Sequence, residues 1–295
     1  MLFNNAEIRF CGQKGGVRAA IKFQELSDRA DGSYIKNTSI HDSYLNALHI
    51  DNTNKVLVEN NVIYKSEEST IKVFGADNII KGKIFILKII WFLIIFVGNL
   101  ALYTTARPKT SEEQIDLLAT YEIRGGVNTI IGNVAVGSDD MGFVGKGSVC
   151  GTTYANAIFK DNIAVACEMG FYFQKNPAGG CISLFNLIAF KNRHLGVFLQ
   201  QSTSAIFTGI RVSDTSIGIS LNHANLGIEN FFALQDVLVV GKSGIGGCEG
   251  TNTGFYGSSF GTGEKGLPPM KSDLPWEKVK TDPCTLIYYF SFFLF

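Results

Sequence analysis

The chain has 295 residues, 46% of them apolar, and its 26 basic side chains are balanced by 26 acidic ones. That is enough apolar material for one elongated domain or two compact ones, and no basic stripe offers a footprint for nucleic acid, so that partner class is not expected. Glycine is frequent, at 32 residues, and proline scarce, at 6, which suits many tight turns between short strands better than long helices.

The first residues, MLFNNAEIRFCGQKGG, lack a basic segment followed by an apolar run and a small-residue cleavage site, so they do not read as a signal peptide. A cytosolic protein, or a fragment starting inside a longer secreted or membrane protein, is expected. A strand-like phrase then begins to recur: two apolar residues flanking one variable position. It reads Ile21-Lys22-Phe23, Leu48-His49-Ile50, Ile71-Lys72-Val73 and Tyr121-Glu122-Ile123. It continues as Phe143, Phe171-Tyr172-Phe173, Val197-Phe198-Leu199 and Ile219-Ser220-Leu221. The steps are 27, 23, 50, 22, 28, 26 and 22 residues, and all but one lie in the range of a solenoid of stacked units.

A second phrase precedes most of these, two short apolar runs split by Asn or Gly. Tyr34-Ile35-Lys36-Asn37-Thr38-Ser39-Ile40, Thr129-Ile130-Ile131-Gly132-Asn133-Val134 and Ala205-Ile206-Phe207-Thr208-Gly209-Ile210 are examples. Asn and Gly tolerate the left-handed backbone of a sharp corner, so each phrase predicts strand, turn, strand. With three short strands per repeat, the expected fold is all-β, a right-handed parallel β-helix (a pectin-lyase-like solenoid) of eight to nine coils over residues 1–240. Leucine-rich repeats need a template that no repeat shows, and a doubly wound α/β fold needs longer amphipathic spacers. Gly142, Gly170, Gly196 and Gly218 each stand just before a strand phrase and are expected to be corner residues. Gly241-Lys242-Ser243 resembles a phosphate-loop tail, but Asp236 occupies the first glycine's place and no strand-helix context surrounds it.

The 50-residue step contains the apolar block Ile84 to Val97, with Lys88 inside it. A transmembrane helix needs about 20 apolar residues, and the uninterrupted run after Lys88 is only nine. Removing residues 83–98 joins Lys81-Gly82 to Asn99-Leu100 and recreates the corner phrase of Ile131-Gly132-Asn133-Val134. The block is therefore expected to be an insertion within a coil. A translated intron is the leading reading, since A/T-rich codons yield Ile, Phe, Leu and Lys; a membrane segment or a partner-binding insertion are the alternatives. Residues 241–295 lose the ladder and are expected to form a Gly/Ser-rich irregular segment with a short aromatic tail.

Several ordered phrases carry a family resemblance. Ala6-Glu7-Ile8-Arg9-Phe10, Ser33-Tyr34-Ile35-Lys36-Asn37-Thr38-Ser39-Ile40-His41-Asp42, Val58-Glu59-Asn60-Asn61-Val62-Ile63-Tyr64 and Asn128-Thr129-Ile130-Ile131-Gly132-Asn133 resemble the β-helix that follows the G8 domain in the fibrocystin-L-like family. The likeness covers roughly residues 6 to 240. It implies an internal module of a large extracellular or cell-surface protein. Because the relatives include hyaluronidase-type surface proteins, it also raises a polysaccharide-acting enzyme as the alternative to a non-catalytic structural or ligand-binding module.

The chemistry-bearing residues are few. Asp139-Asp140 resembles the adjacent aspartates of pectin-degrading hydrolases, where paired acids supply general acid and base. Those enzymes also need a Gly-His-Gly, which is absent, and an Arg-x-Lys downstream, whereas Arg107-Pro108-Lys109 lies upstream. A solvated turn is the plainer reading. His49, Lys72 and Glu122 occupy the middle of strand phrases, so alternation places them together on one exposed face that could meet an anionic polysaccharide or a protein. The four histidines share no metal-ligand spacing, and the six cysteines show no C-x-x-C, so neither a metal site nor a cofactor is expected. Buried, unpaired thiols are the plain reading, which an extracellular origin would reverse in favour of disulfides. Asn37-Thr38-Ser39 is a glycosylation sequon if the chain is secreted. Membrane association could come through the parent protein or through the block at 84–97.

Overall fold

The computed structural model describes residues 1–13, 18–81, 84–89, 92–105, 118–124, 127–173, 181–200, 204–222, 232–240, 253–257 and 288–291. Each coil lays down one strand on a first face, turns a corner onto a second, and returns across a third. In the third coil these are Leu57–Glu59, Val62–Glu67 and Ile71–Val73. Third-face strands form one nine-stranded parallel sheet, running from Ile21–Ser27 to Thr253–Gly257. First-face and second-face strands belong to a larger sheet folded round the corner, because the last long strand, Phe232–Val240, pairs with both Ala205–Thr208 and Arg211–Ser213. The architecture is all-β, a parallel β-helix, as the repeat spacing predicts.

Alternation makes each rung contribute inward apolar side chains that stack on the rungs above and below. Ile35, Val58, Ile80 and Ile130 form one such column, in register and buried. On the third face Tyr121, Phe143 and Phe171 stack in parallel, with ring centroids 4.6 and 5.0 Å apart. Burying each large side chain contributes roughly 1.5–3 kcal/mol.

Corners between the first and second faces repeat one backbone device, a residue with positive φ: Asn37 at 49°, Asn60 at 57°, Gly132 at 66°, Asp161 at 58°, Gly209 at 70°. The residue after the corner turns inward. Asn61, Asn99, Asn133 and Asn162 share this position and are fully buried. Their amides form a ladder: Asn61 Nδ2 donates to Asn99 Oδ1 at 2.9 Å, Asn99 Nδ2 to Asn133 Oδ1 at 3.0 Å, and Asn133 Nδ2 to Asn162 Oδ1 at 3.2 Å.

Asn99 takes its rung although the apolar block precedes it. Ile79–Lys81 pairs with Thr129–Ile131, and Leu100–Thr105 pairs with Val134–Val136, so the coil closes in register around the insertion. The block itself is an antiparallel hairpin, Ile84–Ile89 against Phe92–Val97, whose strands pair with each other and, among the described residues, with no strand of the coils. Among the described residues no helix is long and apolar enough to cross a membrane. The aromatic tail supplies a strand, Tyr288–Ser291, antiparallel to Phe232–Val240. Gly241-Lys242-Ser243 and Arg107-Pro108-Lys109 lie outside the described residues.

Two sequence expectations need correction. Gly142, Gly170, Gly196 and Gly218 are second residues of their third-face strands, not corners, and none has positive φ. Close approach excludes a side chain instead: an added Cβ would lie 2.7 Å from Gly170 O at Gly142, and 2.5 Å from Gly196 O at Gly170. The unpaired thiols also give way to a disulfide between Cys150 and Cys181. The small strand Ser148–Val149 pairs antiparallel with Ile182–Phe185, which brings the two Cα atoms to 5.2 Å, within disulfide range. Cys167 is free and buried, Cys11 free and half-buried.

Candidate functional site

Register places Lys22, His49, Lys72 and Glu122 in one outward column of the third face, on successive rungs. Val144, Tyr172 and Phe198 continue it. The column is therefore charged at its N-terminal end and apolar beyond Glu122.

The expected exposure of this face is corrected. Glu122 is only 1% exposed and the Lys72 side chain 16%. Ser69 Oγ donates to Glu122 Oε2 at 2.6 Å. Lys72 Nζ lies 3.5 Å from the same oxygen, and Arg124 Nε lies 2.6 Å from Oε1 in an ion pair. A carboxylate taken out of water needs this many partners, because an unpaired buried charge is far more costly than a neutral group. On the apolar side, Val144 and Tyr172 pack with Ala119 and Met141 into a small buried cluster of their own.

His49 sits half-buried one rung from Lys72, its ring edge against Phe74 with centroids 5.9 Å apart. Burial, then the neighbouring charges of Lys22 and Lys72, push its pKa down to about 4. It is a neutral imidazole at physiological pH, and its Nε2 has no hydrogen-bond partner among the described residues.

Asp139 and Asp140 fall in the turn between Val134–Val136 and Met141–Gly145, where the second face gives way to the third. Asp139 is exposed and Asp140 half-buried. The backbone is engaged here: the Asp139 carbonyl accepts from Arg193 Nη2 at 3.3 Å, and the Asp140 carbonyl from Met169 N at 2.9 Å. The Arg193 guanidinium is paired through Nε with Glu168 at 2.9 Å. Asn37 lies at an exposed corner, its Nδ2 donating to Asn4 Oδ1 at 2.9 Å.

A second polar cluster lies on the second face. His41 bridges the first two coils, Nε2 to Glu7 Oε1 and Nδ1 to Asp42 Oδ2, both at 2.9 Å, while Lys65 holds the other Asp42 oxygen at 2.9 Å. Hydrogen bonds to Asp42 and then to Glu7 raise the pKa of His41. Metal-ligand spacing could not reveal it, because the partners come from different coils. Among the described residues no group of three or more His, Cys, Asp or Glu could hold a metal.

Comparison with known proteins agrees with this architecture. A family model described as CEMIP beta-helix matches residues 1–71, which takes in the first two coils and reaches the third-face strand of the third. Fibrocystin of Mus musculus is 22% identical over 217 residues, covering 73% of this chain and 5% of that protein. Fibrocystin-L is 23% identical over 231 residues in both Mus musculus and Homo sapiens, again covering 73% of this chain and 5% of each relative. The chain is fibrocystin-L-like. This fibrocystin-L-like chain thus spans a small part of the length of the curated relatives it matches. No solved structure matches it.

Proposed function

We propose that the chain is a non-catalytic structural or ligand-binding β-helix module of an extracellular protein. The observation that carries this reading is Glu122: the acid best placed on a sheet rung is buried and held by Ser69, Lys72 and Arg124. Its role is to seat neighbouring coils on one another. The Cys150–Cys181 disulfide supports an oxidising compartment, where such bonds persist. The exposed corner at Asn37 supports access for a glycosyltransferase. The partner class that fits a long stack of parallel rungs is an extracellular polysaccharide or another protein.

The test is incubation of the purified protein with hyaluronan and with plant polyuronides, followed by sizing of the polymer. Unchanged chain length is expected. Shortening that disappears in Asp139→Asn or Asp140→Asn would overturn the non-catalytic reading. For the compartment, mass spectrometry of protein expressed through a secretory pathway should find a glycan on Asn37. Fully unmodified Asn37 in secreted material would count against it.

A further inference from the structure

Among the described residues the first coil has a neighbour on one side only, and two of its three faces are lightly held. Leu2–Asn4 and Glu7–Arg9 are three-residue strands paired only with Tyr34–Lys36 and Ser39–Ser43. Leu2 is 65% exposed, and Phe3 and Ile8 are only partly buried against the core. The third-face strand, Ile21–Ser27, is longer and anchored by buried Ile21 and Phe23. A side-chain bond ties Glu7–Arg9 to the second coil, from His41 Nε2 to Glu7 Oε1 at 2.9 Å.

We propose that the His41 imidazolium is a clasp between the first two coils, which opens when the ring loses its proton and frees Glu7–Arg9 from the stack. Both ring nitrogens lie 2.9 Å from a carboxylate oxygen, Nε2 from Glu7 and Nδ1 from Asp42. An ionised carboxylate only accepts, so this arrangement needs an N–H on each nitrogen and hence the charged ring. Hydrogen bonding to His41 is the leading cause that lowers the pKa of both Glu7 and Asp42, which keeps them ionised. A neutral imidazole has one N–H, so one of the two contacts becomes a lone pair facing a carboxylate.

The surroundings decide which contact breaks. Asp42 adjoins His41 in the chain, at a position of positive φ, and Lys65 Nζ holds its other oxygen at 2.9 Å. Glu7 belongs to another coil and its side chain is 60% exposed, so it can turn into water. The remaining N–H therefore stays on Nδ1 with Asp42, and the bond between coils is lost. The other groups around the ring come from three coils. Arg9 lies in register with His41 and sets its guanidinium over the Phe10 ring at 5.9 Å, and Phe10 puts its ring edge to His41 with centroids 6.5 Å apart. Tyr64 lies in register on the other side, and Tyr44 stands near Lys65. The two hydrogen bonds hold the pKa of His41 above its ordinary value, so the clasp is closed in acid and opens as pH rises through the folded value. While Glu7–Arg9 is detached, Ser39–Ser43 is the edge of the sheet, with backbone groups available to another strand.

Two measurements on the full chain test the clasp across the titration of His41: proton NMR of its ring, and hydrogen exchange read by peptide. In wild type the ring should titrate above about 6.5. Protection of residues 2–10, corrected for the intrinsic exchange rate at each pH, should fall at least about threefold as it does so, a change on the scale of one exposed ion pair. Ile21–Ser27 should keep its protection throughout. Glu7→Gln is the matched variant, because a carboxamide both donates and accepts and can bond the ring in either state. Its residues 2–10 should lose the pH dependence, and its His41 should titrate lower than in wild type. The proposal is overturned by a wild-type midpoint at or below about 6.5, by constant protection of residues 2–10 in wild type, by the same pH dependence in Glu7→Gln, or by a fall shared equally with Ile21–Ser27.

Discussion

Asn61 Nδ2 donates to Asn99 Oδ1 at 2.9 Å across 38 residues of sequence, the longest step in the asparagine ladder. The next steps, to Asn133 and Asn162, span 34 and 29 residues at nearly the same distance. Rung spacing is thus held by the ladder while chain length between rungs varies. Each asparagine also satisfies backbone groups at the corner: Asn99 Oδ1 accepts from Asn61 N, and Asn99 Nδ2 donates to Val58 O. These are the peptide groups that a turning strand cannot pair with its neighbour.

Asn99→Leu should therefore be costly although it adds apolar character to a buried site. It strands the Asn61 amide N–H and the Val58 carbonyl inside the coil, and each buried unsatisfied group costs about 1–3 kcal/mol. A loss of at least about 2 kcal/mol in urea unfolding is expected. An unchanged midpoint would mean that water replaces the side chain.

Deleting residues 83–98 should leave the β-helix intact. Gly82 would then precede Asn99 as Gly132 precedes Asn133, at a corner whose flanking strands already pair in register. The shortened chain should keep its circular dichroism spectrum and unfold at equal or higher urea concentration, because a shorter loop costs less to close. Loss of cooperative unfolding would show that the hairpin supports the coil. Transcript sequencing across codons 83–98 separately decides whether the block is a translated intron.

The three-faced coil was legible because its physics is local: alternation sets which side chains point inward, and Asn or Gly marks each corner. Asn99 was legible too, since removing the block restores the corner phrase. Glu122 was not. In sequence it is one more charged residue between two apolar ones, and its burial depends on Ser69, 53 residues earlier, and on Arg124 folding back beside it. Cys150 and Cys181 gave no signal, because their approach is set by a two-residue strand, Ser148–Val149, that departs from the repeat. The third-face glycines could be seen but not explained, since both corners and close approach call for glycine.

Glu122→Gln should destabilise the protein by about 3 kcal/mol, the lower end of what breaking a buried ion pair costs, because Lys72 retains some access to water. It leaves Lys72 and Arg124 facing each other without the carboxylate between them. Lys72→Met should be milder, since Arg124 still answers Glu122. Equal effects of the two substitutions in urea unfolding would place the charge outside the network that seats these coils.

His49 and His41 should give opposite pH dependences. His49 has its pKa depressed from 6.5 to about 4, so between those values the unfolded chain binds a proton that the folded protein refuses. Its effect is a loss of stability as pH falls through that window, levelling below about 4. His41 is raised, so its contribution is present below about 6.5 and disappears as pH rises past its folded value. Urea midpoints between about pH 4.5 and 8 should lose their acid-side decline in His49→Leu and steepen it in His41→Asn. The same slope in both variants would contradict these assignments.

Reduction of Cys150–Cys181 should loosen one side of the helix without unfolding all of it. The bond closes a loop of 31 residues that contains the sixth coil, Phe159–Lys160, Ile163–Val165 and Met169–Phe173. Cross-linking a loop of that length stabilises by about 3.5 kcal/mol through the unfolded chain's entropy. The sixth coil keeps its inward stack, with Phe159 and Phe171 buried beside Phe143, so coil packing should hold its strands in place. The double variant Cys150→Ser, Cys181→Ser should lose about that stability in urea. Hydrogen exchange should rise first at Ser148–Val149, the strand that pairs beside the bond. Exchange that rises instead throughout the nine third-face strands would show that the clip holds the whole stack, not one loop.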